Sequence, residues 1–106
     1  MDSFIKVKSN SAIVLKRKQP FVDWIRSLDE EETDIDDFKE EDVLLVPECD
    51  TIEQIKQFVK KNFEEIFAFQ CFMECMDDEV WPDISNYKLF QEWFELSYHT
   101  MVLTWD

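Results

Sequence analysis

Cys49, Cys71, Cys75 and His99 are the side chains of this 106-residue sequence best suited to nucleophilic or metal chemistry. Thiolates and a neutral imidazole make a tetrahedral zinc set, and a thiol beside a base makes a nucleophile. Their spacing argues against both. The Cys71/Cys75 pair has no second local pair to complete a zinc-finger pattern. Phe67, Phe69, Phe72, Met73, Met76 and nearby acids also supply none of the positive charge that lowers a thiol pKa. On a helix, Cys71 and Cys75 lie one turn apart and pack as small hydrophobes. An odd cysteine count without a secretory leader pattern favours reduced thiols over a disulfide framework. His99, the only imidazole, alternates with Met101 and Leu103. That places it on the more apolar face of a closing strand, hydrogen-bonded at the core margin. A thiol- or metal-dependent enzyme using Cys71, Cys75, Cys49 and His99 is the alternative reading, and no catalytic, metal or cofactor residue is nominated.

Carboxylates are the second candidate chemistry. Asp77, Asp78 and Glu79 near Asp83 could pair for acid/base work or hold a cation, but clustered acids are expected in so acidic a chain. The stretch Asp29, Glu31, Thr33, Asp37, Glu40 has a faint calcium-loop rhythm. It lacks the glycine of the sharp turn, and a strand follows where a helix should. The chain contains no glycine at all, which excludes the P-loop and the dinucleotide fingerprint. Trp81, before Pro82 and among acids, is a candidate aromatic anchor for a partner or cation, and Trp24, Trp93 and Trp105 read as core.

The net charge is −14, from 11 Lys and Arg against 25 Asp and Glu. That field repels a phosphate backbone, so direct nucleic-acid binding is not expected. The charge is polarised: residues 1–19 carry five basic and one acidic side chain, whereas 29–42 hold ten acids and one lysine. The acids Asp29, Glu30, Glu31, Glu32, Asp34, Asp36, Asp37, Glu40, Glu41 and Asp42, with Trp81, are the candidate contact residues for a basic protein partner. No apolar run reaches the length of a membrane span, and the opening residues lack a signal-peptide layout, so a cytoplasmic protein without a membrane partner is expected.

These residues must be positioned by a single domain, 1–106, long enough to bury about two thirds of its unfolded surface. Phe4–Lys8 and Ser11–Lys16 read as strands of a hairpin turning at Ser9-Asn10. Pro20 opens a short amphipathic helix to Leu28, with Phe21, Trp24, Ile25 and Leu28 on one face. The acidic tract 29–42 reads as a mobile connection. Val43–Val46, apolar without alternation, reads as a central strand. Asp50 with Glu53 suggests the cap of a long helix whose buried face runs Ile52, Ile55, Val59, Phe63, Ile66, Phe67, Gln70, Met73. Beyond Phe63 apolar residues wrap nearly all round it, which implies deep burial or a covering element such as the last helix. Asp83 or Ser85 caps that last helix, with Leu89, Phe90, Trp93 and Phe94 buried, and Tyr98–Trp105 closes the chain as one strand. The expectation is an α+β two-layer domain, β-β-α-β-α-α-β, with a four-stranded mixed or antiparallel sheet and helices packed on one face.

The blocks Pro20-Phe21-Val22-Asp23-Trp24-Ile25, Val43-Leu44-Leu45-Val46-Pro47-Glu48, Trp81-Pro82, Leu89-Phe90-Gln91-Glu92-Trp93-Phe94 and His99-Thr100-Met101-Val102-Leu103 span nearly the whole chain. In order and spacing they resemble a family of small acidic bacterial domains of unknown function. The resemblance implies a bacterial cytosolic origin and no activity, ligand or catalytic residue. The leading functional expectation is a non-enzymatic protein-interaction module with an acidic surface. Self-association as a homodimer that covers exposed aromatics is a further reading.

Overall fold

A computed structural model describes residues 4–28 and 41–105. The elements in chain order are β1 (Ile5–Lys8), β2 (Asn10–Arg17), α1 (Gln19–Leu28), β3 (Glu41–Pro47), α2 (Ile52–Glu74), a 3₁₀ turn (Asp78–Val80), α3 (Tyr87–Trp93), β4 (Phe94–His99) and β5 (Val102–Trp105). The α+β class is as expected, but the single four-stranded sheet is not. Two antiparallel sheets form instead, one in the order β3-β2-β4 and the other a ribbon of β1 with β5.

The expected β1–β2 hairpin fails for a conformational reason. A two-residue hairpin turn needs positive φ, and none of the described residues has it. The chain instead runs on from β1 into β2, and likewise from β4 into β5, so the closing strand is two strands rather than one. β2 pairs with β4 and β1 pairs with β5, as two stretches of one long antiparallel pair. Between the pairs Lys8↔Val102 and Ala12↔His99, three residues (Ser9, Asn10, Ser11) face two (Thr100, Met101). This one-residue excess is a bulge, which bends and twists the ladder at that point.

Ser11 holds the bulge. Its buried Oγ accepts from the Cys49 N–H at 2.8 Å and lies 3.0 Å from the Thr100 carbonyl, to which it donates. The β3–α2 connection and the β4–β5 break are thereby tied to the first turns of β2.

β2, not β3, is the central strand. Ser11, Ile13, Leu15 and Arg17 share a face with Val46, Leu44 and Asp42 of β3 and with Tyr98, Leu96 and Phe94 of β4. The helices pack against this face, around Ile13, Leu15, Phe21, Ile25, Ile55, Val59, Phe67, Phe90 and Phe94. Phe67 lies in the aromatic cluster, with ring centroids 5.7 Å from Phe90, 5.6 Å from Trp93 and 5.4 Å from Phe94, and Phe90 also meets Phe63, Tyr87 and Phe94. Only Val46 of the β3 apolar run is buried, and Val43 is 67 % exposed. An unalternating run therefore marks an open edge here, not a strand covered on both faces.

The helix boundaries follow local hydrogen bonding. The α1 helix starts one residue before Pro20 and ends at Leu28, close to expectation. The α2 cap is one residue later than Asp50/Glu53. Thr51 Oγ1 accepts from the Gln54 N–H at 3.2 Å, and Gln54 Oε1 accepts from the N–H of Thr51 and of Asp50. An amide side chain thus completes the capping box, while Glu53 reaches only Lys56, at 3.8 Å. Asn86 caps α3. Asp83 and Ser85 instead close a turn on each other, and Phe94 falls in β4, pairing Arg17.

Ser11→Ala removes a buried hydrogen-bonding centre with little change of volume. It is expected to cost about 1–3 kcal/mol in urea unfolding, with Asn10→Ser at the partly exposed neighbouring position costing less.

Candidate functional site

Only part of the apolar surface that wraps α2 beyond Phe63 is covered. α3 packs on the Phe63 and Phe67 side, where the Phe63 and Phe90 rings are 5.7 Å apart. The other side remains open, with Phe69 59 % and Met73 62 % exposed. This open side of α2 and the edge strand β3 form the walls of a groove of about 610 Å³, lined by Leu44, Ile66, Phe69 and Met73 among others.

Polar groups close one end of the groove. Arg17, at the last position of β2, donates from Nε to Gln70 Oε1 at 3.0 Å and from Nη1 to Glu74 Oε1 at 2.8 Å. Gln70 Nε2 donates to Asp42 Oδ2 at 2.9 Å. The guanidinium carbon also lies 4.7 Å from the centroid of the Phe21 ring. A chain of side chains thus joins β3, α2 and β2 across the groove. Asp42, Glu65 and Glu74 supply three carboxylates to the lining against the one guanidinium of Arg17, leaving the rim net acidic. Among the described residues no buried side-chain nitrogen or oxygen lacks a hydrogen-bond partner. The groove therefore offers apolar contact and negative potential rather than an unmet polar atom.

The sequence-nominated contact residues fall as follows. Asp29, Glu30, Glu31, Glu32, Asp34, Asp36, Asp37 and Glu40 lie outside the described residues. Glu41 and Asp42 do not belong to a connection: they begin β3, where both are exposed, and Asp42 lines the groove. Trp81 is half-buried against the core, and its indole N–H donates to the Cys75 carbonyl at 2.8 Å. Trp105, expected in the core, is 76 % exposed at the end of the ribbon.

The cysteines and histidine do not converge. Cys71 is buried on α2 near Arg17, whereas Cys49 lies beside Ser11 at the other end of β2. At strand rise these ends are about 20 Å apart. Cys49 borders a second hollow, of about 190 Å³, with Lys8, Glu48 and Asp50, and its Sγ donates to the Pro47 carbonyl at 3.3 Å. His99 is exposed, on the sheet face opposite the helices, with its Nε2 2.8 Å from Ser97 Oγ. The expected core-margin position fails because Phe94, Leu96 and Tyr98 take the helix-facing side of β4, and Met101 and Leu103, the expected partners in its alternation, are themselves exposed. Among the described residues no three His, Cys, Asp or Glu side chains are placed to hold a metal ion.

Burial pushes the Cys71 thiol up to about 12, with the Arg17 charge pulling weakly the other way. A thiol so placed stays protonated at neutral pH and is not a nucleophile. Tyr98 is also raised, by burial first and then by Tyr87. No helix among the described residues is long and apolar enough to cross a membrane. No protein-family model matches the chain, and comparison with curated proteins and with solved structures finds no match.

Above the unfolded thiol pKa the unfolded chain loses its proton while folded Cys71 keeps its own, so the thiol's contribution to stability falls as pH rises from about 9 toward about 12. Cys71→Ala lacks this component. The stability gap between wild type and variant should therefore narrow across that range in urea titrations, and a constant gap would show that the thiol is not desolvated.

Proposed function

We propose that the protein is a non-enzymatic protein-interaction module, and that the groove between β3 and α2 takes a basic, apolar-bearing segment of a partner protein. The observation that supports this most directly is the pairing of exposed Phe69, Met73 and Leu44 with a net acidic rim in one concave surface. Large exposed apolar side chains in a concavity, rimmed by charge, mark interaction sites more often than solvated surface. The tract Asp29–Asp42 serves as the electrostatic approach to this groove, since its last acid, Asp42, is part of the lining. Steering by such a field raises association rates and selects partners of opposite sign.

The open edge of β3 adds a second means of recognition. Among the described residues β3 pairs only with β2, so its outer N–H and C=O groups can accept an extended strand. An incoming segment with alternating apolar and basic residues would set its apolar side chains against Phe69 and Met73 and leave its cations near Asp42 and Glu65.

A short peptide of alternating leucine and lysine tests this by calorimetry. Its affinity should fall steeply between ~10 mM and ~150 mM salt. Glu65→Lys should weaken it about tenfold, in line with reversing one rim charge. Replacing the acids of 29–42 with Asn and Gln should weaken it further, and binding unaltered by that replacement would dismiss the tract's role.

A further inference from the structure

The last turns of α2 present an outward apolar face. Phe69, Phe72 and Met73 are exposed, and so is Met76, two residues past the end of the helix. Phe69 is three residues from Phe72 and four from both Glu65 and Met73, so these side chains are neighbours on one helix face. Phe69 and Met73 also line the groove, whereas Phe72 and Met76 do not. The apolar surface of α2 therefore extends beyond the groove.

Its surroundings are acidic. From Asn62 to Glu79 the sequence holds six acids and no basic residue. Glu74 is taken by Arg17. Glu65, Asp77, Asp78 and Glu79 are exposed, and none of them forms an ion pair among the described residues. A helix C-terminus carries partial negative charge that nearby cations offset. Yet the last turn of α2 contains no basic residue, and three acids follow it.

We infer that this face of α2 takes an amphipathic helix of a partner protein. The helix packs its apolar residues on Phe69, Phe72 and Met73. It carries lysine or arginine at both ends of that apolar stripe, toward Glu65 at one end and toward Asp77, Asp78 and Glu79 at the other. The inference rests on the reading of this side of α2 as a site for a basic, apolar-bearing segment, and names the conformation of that segment.

Backbone hydrogen bonding decides between helix and strand on this face. Along its length a helix has no free N–H or C=O groups to offer, so a strand laid on α2 would bury polar backbone groups without partners. A second helix satisfies its own backbone and sets its side-chain ridges between those of α2, at an interaxial distance of about 8–10 Å. Charge decides between a foreign helix and a second copy. Both ends of the stripe are acidic, so α2 against α2 opposes like charges in either direction.

Two peptides of the same length and composition test the inference by calorimetry and circular dichroism. In one, leucines recur at three- and four-residue spacing with lysines at both ends, which makes one apolar helix face. The other is the alternating leucine-lysine peptide. The helix-patterned peptide should bind more tightly at ~10 mM salt and gain helicity on binding. Phe72→Ser should weaken it at least about tenfold and leave the alternating peptide unchanged, because Phe72 lies outside the groove lining. Met76→Ser, past the end of the helix, should weaken it in the same direction without disturbing the fold.

The inference would be overturned by a helix-patterned peptide that binds no more tightly than the alternating one, gains no helicity or ignores both substitutions. So would a wild-type dimer in sedimentation equilibrium that Phe72→Ser breaks, since that would give this face to a second copy. Binding of the alternating peptide alone would leave the groove reading standing while removing the helix. Binding of the helix-patterned peptide alone would keep the helix while removing strand addition at β3, and binding of neither would remove both.

Discussion

Arg17 is the interaction on which the working surface of this protein depends. It is the last residue of the central strand, its side chain is only 10 % exposed, and it touches two helices at once. Its guanidinium binds Gln70 and Glu74 on α2 and lies over Phe21 of α1, and Gln70 passes the link on to Asp42 of the edge strand. Charge-assisted hydrogen bonds of this kind are shorter and stronger than neutral ones. A largely buried cation that lost its partners would be costly, which holds those partners in place. The separation of β3 from α2, and hence the width of the groove, is set by this chain of side chains. Without it, β3 would keep only the ladder to β2 and the burial of Val46.

Helix periodicity was the most legible level of the sequence. The buried face of α2 is almost the one its spacing implies: Ile55, Val59, Phe63, Ile66, Phe67 and Gln70 are buried, though Ile52 and Met73 at either end of the stripe are exposed. The α1 helix is close to its expected span because Pro20 and the Phe21/Ile25 spacing are local signals. Cap identity was less legible, since Asp50, Thr51, Glu53 and Gln54 offer two overlapping boxes and only the hydrogen-bond geometry selects Thr51 with Gln54. Strand pairing was the least legible. Pairing of β1 with β5 joins residues about a hundred positions apart, and no composition or alternation encodes that choice. The absence of positive φ among the described residues was foreshadowed by the lack of glycine, which makes a tight two-residue hairpin at Ser9-Asn10 costly.

The candidate site was legible in part. The acidic tract was visible as composition, and its last residue, Asp42, does line the groove. Phe69 and Met73 were visible only as a breakdown of amphipathicity beyond Phe63, which reads equally as deeper burial. An apolar side chain has the same hydropathy whether a neighbouring element covers it or not, so the distinction lay in tertiary packing. The cysteines and histidine show the converse. Their residue types suit a metal or a nucleophile, but β2 separates Cys49 from Cys71, and the alternation of β4, with Phe94, Leu96 and Tyr98 facing the helices, puts His99 on the other face of the sheet.

Methionine methyl spectra provide the most direct measurement of the central claim, that this protein meets its partners through the groove between β3 and α2. Met73 lies in the groove, Met76 beyond the end of α2 and Met101 at the base of the ribbon. Titration with the leucine-lysine peptide should give a saturable shift of the Met73 methyl resonance. A titration that reaches saturation with Met73 unmoved would contradict it.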